Sequence, residues 1–106
     1  MDQENAMALL SVALQDGFID DLVVIQINDQ EVFRKPSVKT RFQIGLADSF
    51  EVNVQEGSVK VEVLLPAKQL SESIVLPVTN LVYLGVSLTP EGKISYRVSH
   101  EPFGYL

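Results

Sequence analysis

Three carboxylates fall within one short stretch of the sequence, at Asp16, Asp20 and Asp21. Calcium takes six to eight oxygen ligands, and acidic loops between strands can supply them. The spacing departs from the helix–loop–helix calcium pattern, because Gly17 follows Asp16 directly and Ile27 occupies the place of the bidentate glutamate. Aspartate is also typical of turns and solvated strand ends. Calcium binding by the three aspartates therefore stays open as an alternative.

The other residues that could support catalysis form no recognisable constellation. His100 is the one histidine, and adjacent strand residues point to opposite faces, so Ser99 and Glu101 cannot complete a triad with it. No serine lies in a strand–turn–helix elbow. Glu51 and Glu62 could face each other across a hairpin, as glycosidase carboxylates do, but a solvated sheet face explains them better. We predict that the chain is not an enzyme.

The sequence contains few side chains that could bind a metal ion or a cofactor. The absence of cysteine excludes disulfides, thiolate catalysis and cysteine-bound zinc. A single histidine is too little for a transition-metal site. The segment from Gly85 to Lys93 lacks the spacing of a phosphate-binding loop, and Ile94 stands where that loop needs serine or threonine. The sequence therefore predicts no cofactor.

The overall charge indicates which classes of partner the protein can be expected to bind. The net charge is −6 and the isoelectric point is about 4.6. Acidic surfaces are repelled by phosphate backbones and by anionic lipid, so we expect neither nucleic acid nor membrane as a partner. No apolar run is long enough to span a bilayer, and the acidic N-terminal residues do not resemble a secretory signal. We expect a cytoplasmic protein whose partner is another protein or a second copy of itself.

Half of the eight basic residues fall in one block with no acid among them. The block contains Arg34, Lys35, Lys39 and Arg41, and Pro36 interrupts it. Basic residues and proline on an edge strand prevent unwanted strand pairing. The same charges could meet an acidic surface on a partner, on a second copy or elsewhere in the chain. We predict partner contacts at Arg34, Lys35 and Arg41, with edge protection as the competing explanation.

The last six residues of the sequence are unusually apolar. Pro102 precedes Phe103, and Gly104 separates Phe103 from Tyr105 and Leu106, so the backbone is first restricted and then freed. Aromatic side chains are the usual anchors of protein interfaces. Phe103, Tyr105 and Leu106 are therefore candidate partner-binding residues, and their docking on the protein's own sheets is the open alternative.

Strict alternation of apolar and polar residues is the main structural signal. Between Phe50 and Val63 every second residue is apolar on both sides of Glu56-Gly57, which predicts an antiparallel hairpin with one wet face. A helix over residues 5–14 is a weaker alternative to a strand, because the turn pair Asp16-Gly17 follows. Further strands are predicted over residues 10–14, 22–27, 31–34, 38–44, 74–78, 81–88 and 94–98.

These elements predict one all-β domain over residues 1–106. It is a compact antiparallel β-sandwich of about eight to nine short strands, with immunoglobulin-like or Greek-key connections. The leading functional hypothesis is a non-enzymatic protein-interaction or self-associating module. The alternative is a small ligand-binding module for carbohydrate or calcium, using the loops at 16–21 or 45–48. Carbohydrate binding is weakened by the absence of tryptophan, since sugar rings usually stack on exposed aromatic side chains.

Overall fold

The computed structural model describes residues 6–105, which form eight β-strands and one short 3-10 helix. The strands are β1 (Met7–Leu14), β2 (Asp21–Ile27), β3 (Gln30–Val38), β4 (Asp48–Gln55), β5 (Gly57–Leu65), β6 (Leu70–Val78), β7 (Leu81–Leu88) and β8 (Ile94–Ser99). The 3-10 helix (Pro66–Lys68) lies between β5 and β6.

The strands form two four-stranded sheets that pack face to face. Sheet A has the order β4-β1-β7-β8, and sheet B has the order β3-β2-β5-β6. β1 and β7 run parallel, and the other paired strands run antiparallel. The predicted all-β sandwich of about eight short strands is confirmed. β2 lies in the middle of sheet B, and Pro36 lies on the edge strand β3.

Side chains at every second strand position fill the space between the sheets. Leu10 and Leu14 of β1, Ile25 of β2, Val61 of β5 and Leu84 of β7 are completely buried there. Burying an aliphatic side chain of this size contributes roughly 1.5–3 kcal/mol. The core therefore holds the strand ends, and with them the loops at each end of the sandwich, in fixed positions.

The predicted hairpin between residues 50 and 63 is wrong. β4 pairs with β1 in sheet A, whereas β5 pairs with β2 and β6 in sheet B, so Glu56 alone carries the chain from one sheet to the other. Its N–H donates to Ala6 O at 2.9 Å, and Gly57 takes a φ of 129°. Glu51 and Glu62 consequently lie in different sheets, and the facing carboxylate pair does not form.

Aromatic and ionic contacts close one side of the sandwich, where β3 faces β4. The rings of Phe33 and Phe50 stack with centroids 4.6 Å apart. Lys35 Nζ lies 2.6 Å from Asp48 Oδ2. Partial burial raises the pKa of Asp48, but hydrogen bonds from Lys35 and from the Ser49 N–H outweigh it, so the pKa of Asp48 is lowered. The ion pair therefore joins the edge strands of the two sheets.

A tyrosine hydrogen bond joins the sheets on the opposite side, where β8 faces β6. Tyr96 Oη donates to the backbone oxygen of Glu72 at 3.0 Å. Burial, together with the carboxylates of Glu72 and Glu62, raises the pKa of Tyr96 to about 12. The phenol therefore keeps its proton, and its hydrogen bond, well into the alkaline range.

This raised pKa makes stability depend on alkaline pH. Unfolded tyrosine loses its proton near pH 10, so between about pH 10 and 12 the unfolded chain binds fewer protons than the folded one. The free energy of unfolding should therefore fall as pH rises through this window, and more steeply for the wild type than for Tyr96→Phe. Below pH 10 the variant should be less stable by about 1 kcal/mol, the contribution of the hydrogen bond. Denaturant titrations at a series of pH values measure both effects, and parallel curves for the two proteins would contradict the assignment.

Candidate binding site at the loop end of the sandwich

A cavity of about 470 Å³ opens at the end of the sandwich where β1 finishes. The loops at residues 15–20, 39–47 and 89–93 surround it, together with the 3-10 helix. Its apolar lining comes from Phe18, Ile19, Phe42, Leu70, Leu88 and Pro90, and its polar lining from Asp16, Thr40, Lys68 and Thr89, with Gly17 and Gly92 completing the wall. A mainly apolar concavity with a few polar groups is the usual form of a binding site.

The floor of the cavity depends on a close backbone approach at Gly17. This residue has a φ of +92°, and a Cβ atom added to it would lie 2.1 Å from Leu88 O. The neighbouring backbone continues the pairing of β1 with β7, since the Leu88 N–H donates to Asp16 O at 2.8 Å and the Gln15 N–H donates to Val86 O at 2.7 Å. Only glycine allows both the left-handed conformation and this contact.

The buried Thr40 joins the loop at residues 39–47 to the first loop, at residues 15–20, through hydrogen bonds. Thr40 Oγ1 donates to Gln15 O at 2.6 Å and accepts from the Phe18 N–H at 3.0 Å. The Thr40 N–H also donates to Phe18 O at 2.8 Å. Thr40 is buried, so each of these groups depends on it for a partner. Thr40 thereby sets the position of the residues that follow it.

Residues 41–46 form a tight turn that holds Phe42 outside the fold. The Arg41 N–H donates to Leu46 O at 3.0 Å, and Arg41 O accepts from the N–H groups of Ile44 at 3.2 Å and Gly45 at 2.8 Å. Gly45 has a φ of +69°, as a turn of this kind requires. The side chain of Phe42 is 92% exposed. The strand predicted over residues 38–44 is therefore wrong, since β3 ends at Val38.

Two large apolar side chains stand exposed at the rim of the same cavity. Ile19 is 71% exposed and Phe42 is 92% exposed. Single exposed apolar residues are ordinary, whereas larger exposed apolar patches are typical of interaction sites, and here two such residues border one concavity. A second concavity of about 420 Å³ lies within the turn, lined by Lys39, Thr40, Arg41, Phe42 and Gln43. Phe42 and Thr40 border both concavities.

The three aspartates of the calcium hypothesis lie in different environments and do not share one site. Asp21 is buried, accepts from the Ile19 N–H at 3.0 Å and pairs with Lys68 Nζ at 2.9 Å. Asp16 and Asp20 are exposed. Within residues 6–105, no three side chains of His, Cys, Asp or Glu lie close enough together to hold a metal ion. The structure thus does not assemble these carboxylates into one ligand set.

The basic residues predicted to contact partners lie on or near the edge strand β3. Arg34 forms a two-point pair with Glu31, through Nε at 3.0 Å and Nη2 at 2.9 Å, which lowers the pKa of Glu31. Lys35 pairs with Asp48, and Arg41 lies in the Phe42 turn. Arg34 and Lys35 therefore meet acids of their own chain. Partner binding by these residues stays a prediction.

The C-terminal aromatic residues lie on the outer face of sheet A. The Phe103 ring meets Tyr83 edge-on with centroids 6.4 Å apart, and the Arg97 guanidinium lies 4.5 Å from the Phe103 centroid. Tyr105 Oη accepts from Gln15 Nε2 at 2.9 Å. The structure thus places Phe103 and Tyr105 on their own domain, and partner binding through them stays a prediction. Leu106 lies outside the described residues.

The serine beside the one histidine also acts locally. Ser99 Oγ donates to Glu101 O at 2.8 Å and accepts from the Glu101 N–H at 3.0 Å. His100 itself is exposed beyond the end of β8. The hydroxyl of Ser99 therefore closes a short turn that directs the chain from β8 toward Phe103.

Comparison with known proteins gives no relative from which a function could be transferred. No protein-family model matches the chain, and no curated protein and no solved structure is significantly similar to it. Among residues 6–105, no helix has the length and apolar character needed to cross a membrane.

Proposed function

We propose that this protein is a non-enzymatic protein-interaction module that binds its partner at the loop end of the sandwich. The observation that carries the proposal is the pair of exposed apolar side chains, Phe42 and Ile19, at the rim of the 470 Å³ cavity. Burying an aromatic anchor beside a concavity is the usual way in which a small interface gains most of its affinity.

The construction of the site supports binding rather than a disordered loop tip. The turn that presents Phe42 is closed by backbone hydrogen bonds at Arg41, and Thr40 fastens it to the first loop. A side chain held in position before binding loses less conformational entropy when a partner covers it. The apolar surface is thus preorganised for contact.

The ligand-binding alternative concerns the same place. An exposed aromatic ring near the Asp16 carboxylate and the Thr89 hydroxyl has the elements that a sugar ring requires, which are a flat apolar platform and nearby polar groups. A glycan array therefore belongs in the test. Glycan binding that disappears in Phe42→Ser would favour the carbohydrate alternative over the protein-interaction module.

The proposal is tested by selecting peptides from a random display library with the folded chain and measuring their Kd. Phe42→Ser and Ile19→Ser should each raise the Kd of the selected peptides. For Phe42→Ser the increase should be about thirtyfold, which is the effect of losing a central anchor. Val75→Ser is the matched control, because Val75 is 66% exposed on the edge strand β6 and lines neither concavity. Failure to select any peptide would refute the proposal, and so would peptides whose Kd is unchanged by Phe42→Ser.

A further inference from the structure

The second concavity, which shares Thr40 and Phe42 with the first, carries positive charge. Lys39 and Arg41 both line it, with Gln43 beside them. Both basic side chains belong to exposed residues. Phe42 therefore borders both a mainly apolar concavity and one that carries basic side chains, so a ligand that covers Phe42 meets both kinds of surface.

Within residues 6–105, Lys39 and Arg41 belong to the half of the eight basic residues that form no ion pair, together with Lys93 and with Arg97, which lies over the Phe103 ring. Arg34, Lys35, Lys60 and Lys68 each pair with an acid within 3.2 Å. Within residues 6–105, neither Lys39 nor Arg41 forms such a pair, and Asp48 senses Arg41 only as a more distant charge. In a chain with fourteen acidic residues and eight basic ones, this leaves two neighbouring cations free for an external anion.

We infer that the partner is an acidic polypeptide segment whose aromatic or aliphatic side chain enters the apolar cavity while its carboxylates contact Lys39 and Arg41. This inference rests on the proposed function and specifies the chemistry of the partner. The apolar anchor follows from the exposed Ile19 and Phe42, and the acidic flank follows from charge complementarity with the two unpaired cations. Gln43 adds an amide that can donate to a carboxylate.

A polypeptide fits this surface better than an anionic membrane does. Asp16 lines the apolar cavity, and the exposed Asp20 and Glu91 lie in the loops around it. A flat anionic lipid surface would meet these carboxylates together with the two cations, and the net charge of −6 adds to the repulsion. A narrow segment can contact Lys39 and Arg41 without covering the acids.

The experiment compares library selections with three proteins: the wild type, Lys39→Glu/Arg41→Glu, and the control Lys60→Glu/Ser58→Glu/Ser71→Glu. The control changes the net charge by the same amount at solvent-accessible positions of sheet B that line neither concavity, and it breaks one exposed ion pair of little energetic weight. The wild type and the control should enrich peptides that join an aromatic or aliphatic residue to aspartate or glutamate. The Lys39→Glu/Arg41→Glu variant should lose this acidic bias and bind the wild-type peptides about tenfold more weakly. Affinity for the wild-type peptides should also fall as salt is raised.

The possible failures are distinguishable. Peptides that depend on Phe42 but show no acidic bias would overturn this inference and leave the proposed function standing. The absence of any Phe42-dependent peptide would overturn both. Binding to phosphatidylserine vesicles that exceeds binding to every selected peptide, and is lost in Lys39→Glu/Arg41→Glu, would overturn the inference in favour of a lipid surface. A dimer that dissociates in Phe42→Ser, measured by sedimentation, would identify a second copy as the occupant instead.

Discussion

Replacing Gly17 by alanine is expected to destabilise the folded protein by about 3 kcal/mol, through overpacking and backbone strain together. The new methyl group would lie 2.1 Å from Leu88 O and 2.8 Å from Leu88 Cβ, so either β7 or the first loop must move. The φ of +92° adds a conformation that alanine rarely adopts. The midpoint of a urea titration at neutral pH measures the loss.

Gly92→Ala provides the matched control for this experiment. Gly92 also has a positive φ, of +82°, and also lines the cavity, but an added Cβ would meet no atom within 4 Å. Gly92→Ala should therefore cost only about 1 kcal/mol, from the backbone conformation alone. If the two variants lost the same stability, the close approach between Gly17 and Leu88 would not be the cause, and the packing at the cavity floor described above would be incorrect.

Replacing Thr40 by valine is expected to cost about 2–4 kcal/mol, because both partners of its hydroxyl are left unsatisfied in a buried place. Valine has nearly the same shape, so the lost groups are the donor to Gln15 O and the acceptor for the Phe18 N–H. Thr40→Ser keeps the hydroxyl and should retain most of this stability. Urea titrations of the two variants measure the difference.

The same pair of variants links stability to binding. With the Thr40 hydroxyl gone, the Phe42 turn keeps its internal hydrogen bonds but loses two of the three hydrogen bonds that join Thr40 to residues 15–18. Thr40→Val should therefore bind the selected peptides with a higher Kd, even at temperatures at which this variant is fully folded. Thr40→Ser should bind them with the Kd of the wild type. Equal binding by folded Thr40→Val and the wild type would show that the first loop does not position Phe42.

The elements that the sequence predicts well are those in which pattern and turn chemistry agree. β1 and β2 were expected from alternation and from β-branched residues, and both are strands. Asn28 and Asp29, residue types that suit a tight turn, take positive φ angles and turn the chain from β2 into β3. In these cases the local preference and the tertiary structure favour the same conformation.

The two wrong elements fail for different physical reasons. Apolar residues alternate with polar ones on both sides of the turn pair Glu56-Gly57, so the local pattern cannot distinguish a hairpin from a crossing between two sheets. Over residues 38–44 the pattern again favours a strand, but the hydroxyl of Thr40 and the turn that ends at Gly45 satisfy the backbone in another way. Tertiary hydrogen bonds decide both outcomes.

The candidate site could be predicted only in part. The alternation places Phe42 among the inward-facing residues of a strand, so its exposure was not expected. The nearest signal in the sequence is Gly45, a residue suited to the left-handed conformation that closes the turn. Ile19 lies within the aspartate-rich loop 16–21, where no periodic pattern assigns its side chain to the core or to the surface. The cavity combines loops that are distant in sequence, and no local pattern reports such proximity.

The parallel pairing of β1 with β7 has a consequence for how the chain acquires its structure. β1 lies in the middle of sheet A, between β4 and β7, yet the chain is synthesised through all of sheet B before β7 is available. Contacts between residues so far apart along the chain slow folding, typically to the range of milliseconds to seconds. Until β7 arrives, one edge of β1 is an unpaired apolar strand that other chains can join. Newly made molecules thus pass through an aggregation-prone interval, whose length depends on how quickly a late strand finds an early one.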